Sequence, residues 1–132
     1  MSDETNETGT TTDYGAVRRA LRAVLAERGH HLSSDSAGVH GSLYIMGRDD
    51  LARAVFEFKS SAGDAACELM YQGAWMPNMP PRFVVLPASE EHDPSLETLE
   101  QMRAMPLLYD DDAETITFRD LDQLMKTYVE VD

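Results

Sequence analysis

The stretch RAVFEFKSSAGDAACELM, Arg53 to Met70, decides how the chain is built. Its first part, Arg53 to Lys59, sets Val55, Phe56 and Phe58 in a run of β-branched and aromatic residues that suits a pleated, half-buried strand. Ser60 or Ser61 then offers an oxygen to the unpaired N–H groups of a helix start. From Gly63 to about Trp75 the residues Ala66, Leu69, Met70 and Gly73 are expected on the packing face of a helix. In the strand, alternate residues project from one face about 7 Å apart, so Glu57 and Lys59 point one way and Phe56 and Phe58 the other. A carboxylate and an ammonium thereby share one side of an otherwise apolar element.

Outward from this stretch, Ser42 to Met46 reads as a strand and GRDD as the turn that joins it to Arg53–Lys59 in a hairpin. Downstream, MPNMPP interrupts the helix, and RFVVLPA, Arg82 to Ala88, is a short continuous apolar run suited to a strand buried on both faces. Strand, helix, strand in that order allows a right-handed crossover, which makes Arg53–Lys59 an internal strand linked through the helix to Arg82–Leu86. Before the hairpin, Val17, Ala20, Leu21, Val24 and Leu25 recur at helical spacing from Tyr14, and Gly29 closes that helix. After Arg82–Ala88, Asp93 and Pro94 open a third helix carrying Leu96, Leu99, Met102 and Met105 inward. PLLYDDDAETITF reads as a strand, an acidic turn and a strand, and Asp120 to about Tyr128 as a short helix bearing Leu121, Leu124 and Met125. Residues 1–13 are polar and acidic without periodicity and are expected to form a disordered tail. Residues 14–132 are expected to form a single α/β domain, a mixed sheet of about five strands flanked by helices.

Composition narrows the partners. The 132 residues carry 24 acids against 11 basic residues, a formal charge of −13, and only Lys59 and Lys126 are lysines. This acidic, lysine-poor balance resembles that of proteins from salt-accumulating halophilic archaea. At low salt it would oppose nucleic-acid binding, but at about 1 M salt charges are screened beyond about 3 Å, so charge does not decide the partner class. Cys67 has no disulfide partner in the chain, and its small and apolar neighbours lead us to expect a buried, inert thiol. No stretch approaches the roughly 20 apolar residues of a membrane span, and a cytoplasmic protein without membrane contact is expected.

The succession of helix, hairpin ending in FEFK, serine-capped helix, RFVVLP strand and helix resembles the PD-(D/E)xK superfamily, the restriction-endonuclease-like fold, over nearly all of Tyr14 to Phe118. The motif residues are Glu57 and Lys59. The resemblance implies a restriction-endonuclease-like core and phosphodiester hydrolysis of DNA or RNA with a divalent metal, Mg²⁺ or Mn²⁺. Glu57 would hold the metal and Lys59 would attend the attacking water. The family places a further metal-binding Asp on the preceding strand, and here that region, VHGSLYIM, has no acid. With GRDD as the turn, Ser42 falls opposite Glu57 and His40 opposite Lys59, which makes His40 the candidate replacement ligand, although imidazole favours Zn²⁺ or Mn²⁺. Glu27, near the end of the first helix, is a second candidate. Asp49 and Asp50 sit at the hairpin tip, about 23 Å of strand from Glu57, and are too distant. Arg18 and Arg22 share one helix face and are the candidate nucleic-acid contacts, expected on the same side as Glu57. The alternative is a catalytically silent module that uses the same fold for protein interaction or assembly, with Glu57 and Lys59 as a structural ion pair. His30 and His31 read as exposed loop residues, Asp110 to Asp112 as an acidic turn, and Trp75, Met76 and Met79 as core.

Overall fold

A computed structural model describes residues 14–34, 42–72, 80–112 and 115–130. In chain order the elements are helix α1 (Tyr14–Glu27), strands β1 (His31–Ser34), β2 (Leu43–Met46) and β3 (Ala52–Phe58), helix α2 (Ala62–Gln72) and strand β4 (Arg82–Pro87). Helix α3 (Ser95–Gln101), strands β5 (Ala104–Asp111) and β6 (Ile116–Phe118) and helix α4 (Leu121–Leu124) follow, and α4 runs on into a π-helical turn, Met125–Val129. All six strands join one mixed sheet in sequential order. The β1–β2, β2–β3 and β5–β6 pairs are antiparallel, and β3–β4 and β4–β5 are parallel. The hairpin and the crossover through α2 both stand as expected, and β3 is internal.

The sheet has six strands rather than about five. The additional strand, β1, consists of His31, Leu32, Ser33 and Ser34. One apolar side chain in four leaves almost no alternation to read, and an edge strand needs little burial because its ladder is paired on one side only. What sets β1 in place is the end of α1. Gly29 adopts φ +91°, and its N–H and that of His30 bond to the carbonyls of Ala26 and Leu25. This Schellman closure turns the chain straight back along β2. The third helix is also shorter than expected: Met105 belongs to β5, where it pairs with Phe83.

Strand alternation sorts the core into two layers. Ala54, Phe56, Phe58, Phe83, Val85 and Leu107 pack against Val17, Leu21 and Leu25 of α1 and against Leu121, Met125 and Val129 at the C-terminal end. Phe56 and Phe83 stack there with centroids 4.9 Å apart. On the other face Val84, Leu86 and Ala104 pack against Ala62, Ala65, Ala66 and Leu69 of α2 and Leu99 of α3. The α2 stripe follows the 3.6-residue period through positions 62, 65, 66 and 69, and Cys67 and Met70 each lie one residue past it. Both are exposed, Met70 by 69%, which corrects the expectation of a buried thiol and of Met70 in the packing face. Gly73 and the Trp75, Met76 and Met79 side chains lie outside the described residues, as does the 1–13 tail.

The helix starts follow the expected chemistry. The Ser61 hydroxyl accepts from the Asp64 N–H at 3.1 Å, and the Glu90 carboxylate, from the turn after β4, accepts from the Ala62 N–H at 2.8 Å. Asp93 does the same for Ser95 at 2.8 Å, at the start of α3. No helix among the described residues is long and apolar enough to cross a membrane.

Candidate functional site

Glu57 and Lys59 lie at the C-terminal end of β3. Phe56 and Phe58 on either side of Glu57 point into the α1 layer, so Glu57 projects toward the α2–α3 layer, beside Val84 of β4. Arg82 opens β4 opposite Val55 and projects into the same layer, one position diagonal to Glu57. Its Nε stands 3.6 Å from a Glu57 carboxylate oxygen, and both side chains are less than one-fifth exposed. Lys59 leaves β3 just past its last residue, still bonding through its N–H to the Val85 carbonyl, and its Nζ donates to Glu68 of α2 at 2.5 Å. The two motif side chains therefore share one side of an internal strand, and each is met by an opposite charge from the crossover unit.

Antiparallel pairing of Leu43 with Phe56 carries Ser42 to the position opposite Glu57, as the hairpin turn implies. His40 lies outside the described residues. The acids at the hairpin tip remain local: the Asp49 carboxylate accepts from the Leu51 N–H at 3.1 Å, and Asp50 takes the left-handed turn position at φ 62°. Glu27 is exposed at the last position of α1, on the opposite side of the sheet from Glu57. Among the described residues no three His, Cys, Asp or Glu side chains are gathered as a metal site would gather them.

Arg18 also belongs to that opposite side. Its guanidinium carbon lies 5.3 Å from the centre of the Phe58 ring, a cation–π contact inside the α1 layer. Arg22 is one turn further along α1 and exposed. The arrangement in which Arg18, Arg22 and Glu57 face a common side is thus not the one observed, because adjacent residues Glu57 and Phe58 leave the strand in opposite directions.

Two polar clusters escaped the sequence reading. Arg28, just past α1, donates from Nε and Nη2 to Glu130 at 3.0 and 2.6 Å and from Nη1 to Asp122 at 2.9 Å. His30 Nε2 meets the same Glu130 carboxylate at 2.6 Å. The Arg28 guanidinium, then the His30 ring, hold the Glu130 carboxyl below the ordinary range, and Arg28 and Lys126 do the same for Asp122. This cluster fastens the C-terminal helix to the α1–β1 corner. In the other, Arg119 donates to both oxygens of Asp110 at 2.7 and 2.8 Å and pairs with Glu91, lowering both carboxyl pKa values. It ties β5 and the turn after β6 to the turn after β4. Asp110 is accordingly a partner of Arg119 within β5, and Asp111 also belongs to that strand, opposite Ile116, so the expected acidic turn of Asp110 to Asp112 keeps only Asp112 outside the strand.

No family model, no curated protein and no solved structure matches the chain.

Proposed function

We propose that the chain is a catalytically silent protein-interaction or assembly module on a restriction-endonuclease-like α/β scaffold. The observation that carries this reading is the pairing of both motif side chains: Glu57 with Arg82 and Lys59 with Glu68. A divalent metal on Glu57 would compete with Arg82 for the same carboxylate and would meet a fixed positive charge in a site of reduced dielectric. Lys59, held at Glu68, is committed away from the role of a water-orienting group. The outer side of α2 supports the interaction half of the reading. Met70 and Tyr71 stand 69% and 94% exposed beside Cys67, an apolar strip of the kind used for protein contact.

The second reading, metal-dependent phosphodiester hydrolysis with Glu57 as metal ligand and Lys59 at the water, is favoured by one feature. The two residues emerge on one side of an internal strand followed by a crossover helix, as the family pattern requires. One experiment separates the two. Melting in Mg²⁺ and Mn²⁺ is measured for the wild type and Glu57→Ala, alongside cleavage assays on single-stranded and duplex DNA and on RNA at high salt. The silent module predicts no Glu57-dependent metal shift and no cleavage. Cleavage that disappears in Glu57→Ala overturns it.

A further inference from the structure

At the other end of β3 from Lys59, the β2–β3 turn and the start of β1 enclose a second polar site. A cavity of about 420 Å³ is lined there by His30, His31, Gly47, Arg48, Asp50 and Arg53. In a chain of net charge −13, two of nine arginines and two of four histidines meet there, with Asp50 as the lining carboxylate among the described residues. The β2–β3 ladder slips between Ile45 and Met46, leaving Arg53 as the extra residue of a bulge. Bulges re-aim side chains. Here the Arg53 stem crosses Gly47 so closely that a Cβ at that position would come within 3.3 Å of its Cγ and Cδ. The guanidinium donates from Nη2 to the Val129 carbonyl at 2.9 Å, which fixes the head and leaves its remaining N–H groups without a partner among the described residues. Arg48 and His31 are exposed, and neither side chain makes a hydrogen bond or ion pair with another described residue. His30 is turned to the Glu130 carboxylate.

We propose that this cavity binds a small anion bearing a terminal phosphate group, with Arg48 and Arg53 as the principal ligands and His31 as a further donor. Among the described residues Asp50 is the carboxylate that lines the cavity, while Asp49 is engaged by the Leu51 N–H on the other side of the turn. Guanidinium forks match the oxygens of a phosphate in geometry as well as charge, and one of them is already anchored by the backbone of the C-terminal turn. The site is a concavity behind a tight turn rather than a stripe along a face, so it suits one phosphate group and not an extended phosphodiester backbone.

The test uses the full chain and two probes, inorganic phosphate and ribose 5-phosphate, followed by calorimetry and thermal melting against sodium chloride at matched ionic strength. The wild type should bind with a melting shift absent in chloride. Arg48→Ala, at an exposed side chain with no partner among the described residues, should weaken binding about tenfold. Asp50→Asn keeps a residue tolerant of the left-handed turn, removes the opposing charge and should tighten binding. Arg22→Ala, exposed on α1 and not among the residues that line the cavity, should change nothing. Equal affinity for the two probes assigns the site to the free anion, and tighter binding of ribose 5-phosphate assigns it to a phosphomonoester; either supports the site. A response no larger than that to chloride, an unchanged affinity in both Arg48→Ala and Asp50→Asn, or an oligonucleotide without terminal phosphates binding as tightly as ribose 5-phosphate overturns the proposal.

Discussion

The pairing of Glu57 with Arg82 can be tested as an energy. At 3.6 Å, with both side chains less than one-fifth exposed, the gross attraction at an effective dielectric of about 20 is roughly 4–5 kcal/mol. Dehydration of both charges cancels most of it, and a net coupling of about 1–2 kcal/mol is expected. Urea unfolding of the wild type, Glu57→Gln, Arg82→Gln and the double variant isolates that coupling. Each single variant should lose about 1–3 kcal/mol, because it strands the partner's charge in the α2–α3 layer. The double variant should be more stable than the sum of the two losses implies. Burial of both side chains further predicts that the coupling survives about 1 M salt, where an exposed pair would vanish. Additive losses, or a coupling abolished by salt, would show that the pair is an incidental surface contact. In that case Glu57 is unencumbered, and the principal objection to metal binding falls with it.

Three other outcomes are expected of the fold. Glu130 has its carboxyl pKa depressed below the ordinary 4.5 by Arg28 first and His30 after it, so the folded chain binds fewer protons there than the unfolded one. The stabilisation is therefore present above that value and lost as pH falls through the lower folded pKa, and the stability gap between wild type and Glu130→Gln, measured by denaturant titration, should be about 1–2 kcal/mol at neutral pH and close below pH 4.5. Cys67 is exposed on α2 and should react with a thiol reagent under native conditions as fast as in denaturant-free peptide; labelling that requires unfolding would refute its placement. With a net charge of −13, raising KCl from about 0.1 M to 1 M should raise the melting temperature by relieving self-repulsion, and a falling midpoint would mean that the Arg28 and Arg119 ion pairs outweigh it.

How far the sequence reached depended on the kind of signal. Strand β3 and its crossover were legible because Val55, Phe56 and Phe58 follow a strand pattern and Ala66 and Leu69 a helical one, with Ser61 marking the change between them, although the full stripe of positions 62, 65, 66 and 69 lay one step off the expected face. Strand β1 was not, since its pairing comes from the Gly29 turn and from β2, not from its own four residues. The same limit applied to the site. That Glu57 and Lys59 share a side is a local, period-two fact, readable from two positions. That Arg82 stands diagonal to Glu57 depends on the parallel register Val55–Arg82, which no local pattern encodes. Lys59 reaching Glu68 depends on where α2 settles on the sheet.

That distinction bears directly on function. A motif of two charges spaced for one face is neutral between catalysis and structure until the third charge is placed, and the third charge is always a matter of register. Here the residue brought to Glu57 is a cation rather than a second carboxylate. An acid at that place would repel Glu57 and invite a metal to relieve the repulsion, whereas an arginine already supplies the opposite charge. Arg82→Glu therefore reverses the local electrostatics with a single change. It should cost stability in metal-free buffer through like-charge repulsion with Glu57, and recover part of that loss on adding Mn²⁺, as read by the melting midpoint. A variant that melts lower and ignores Mn²⁺ would mean that the geometry around Glu57 cannot accept a metal whatever its charge.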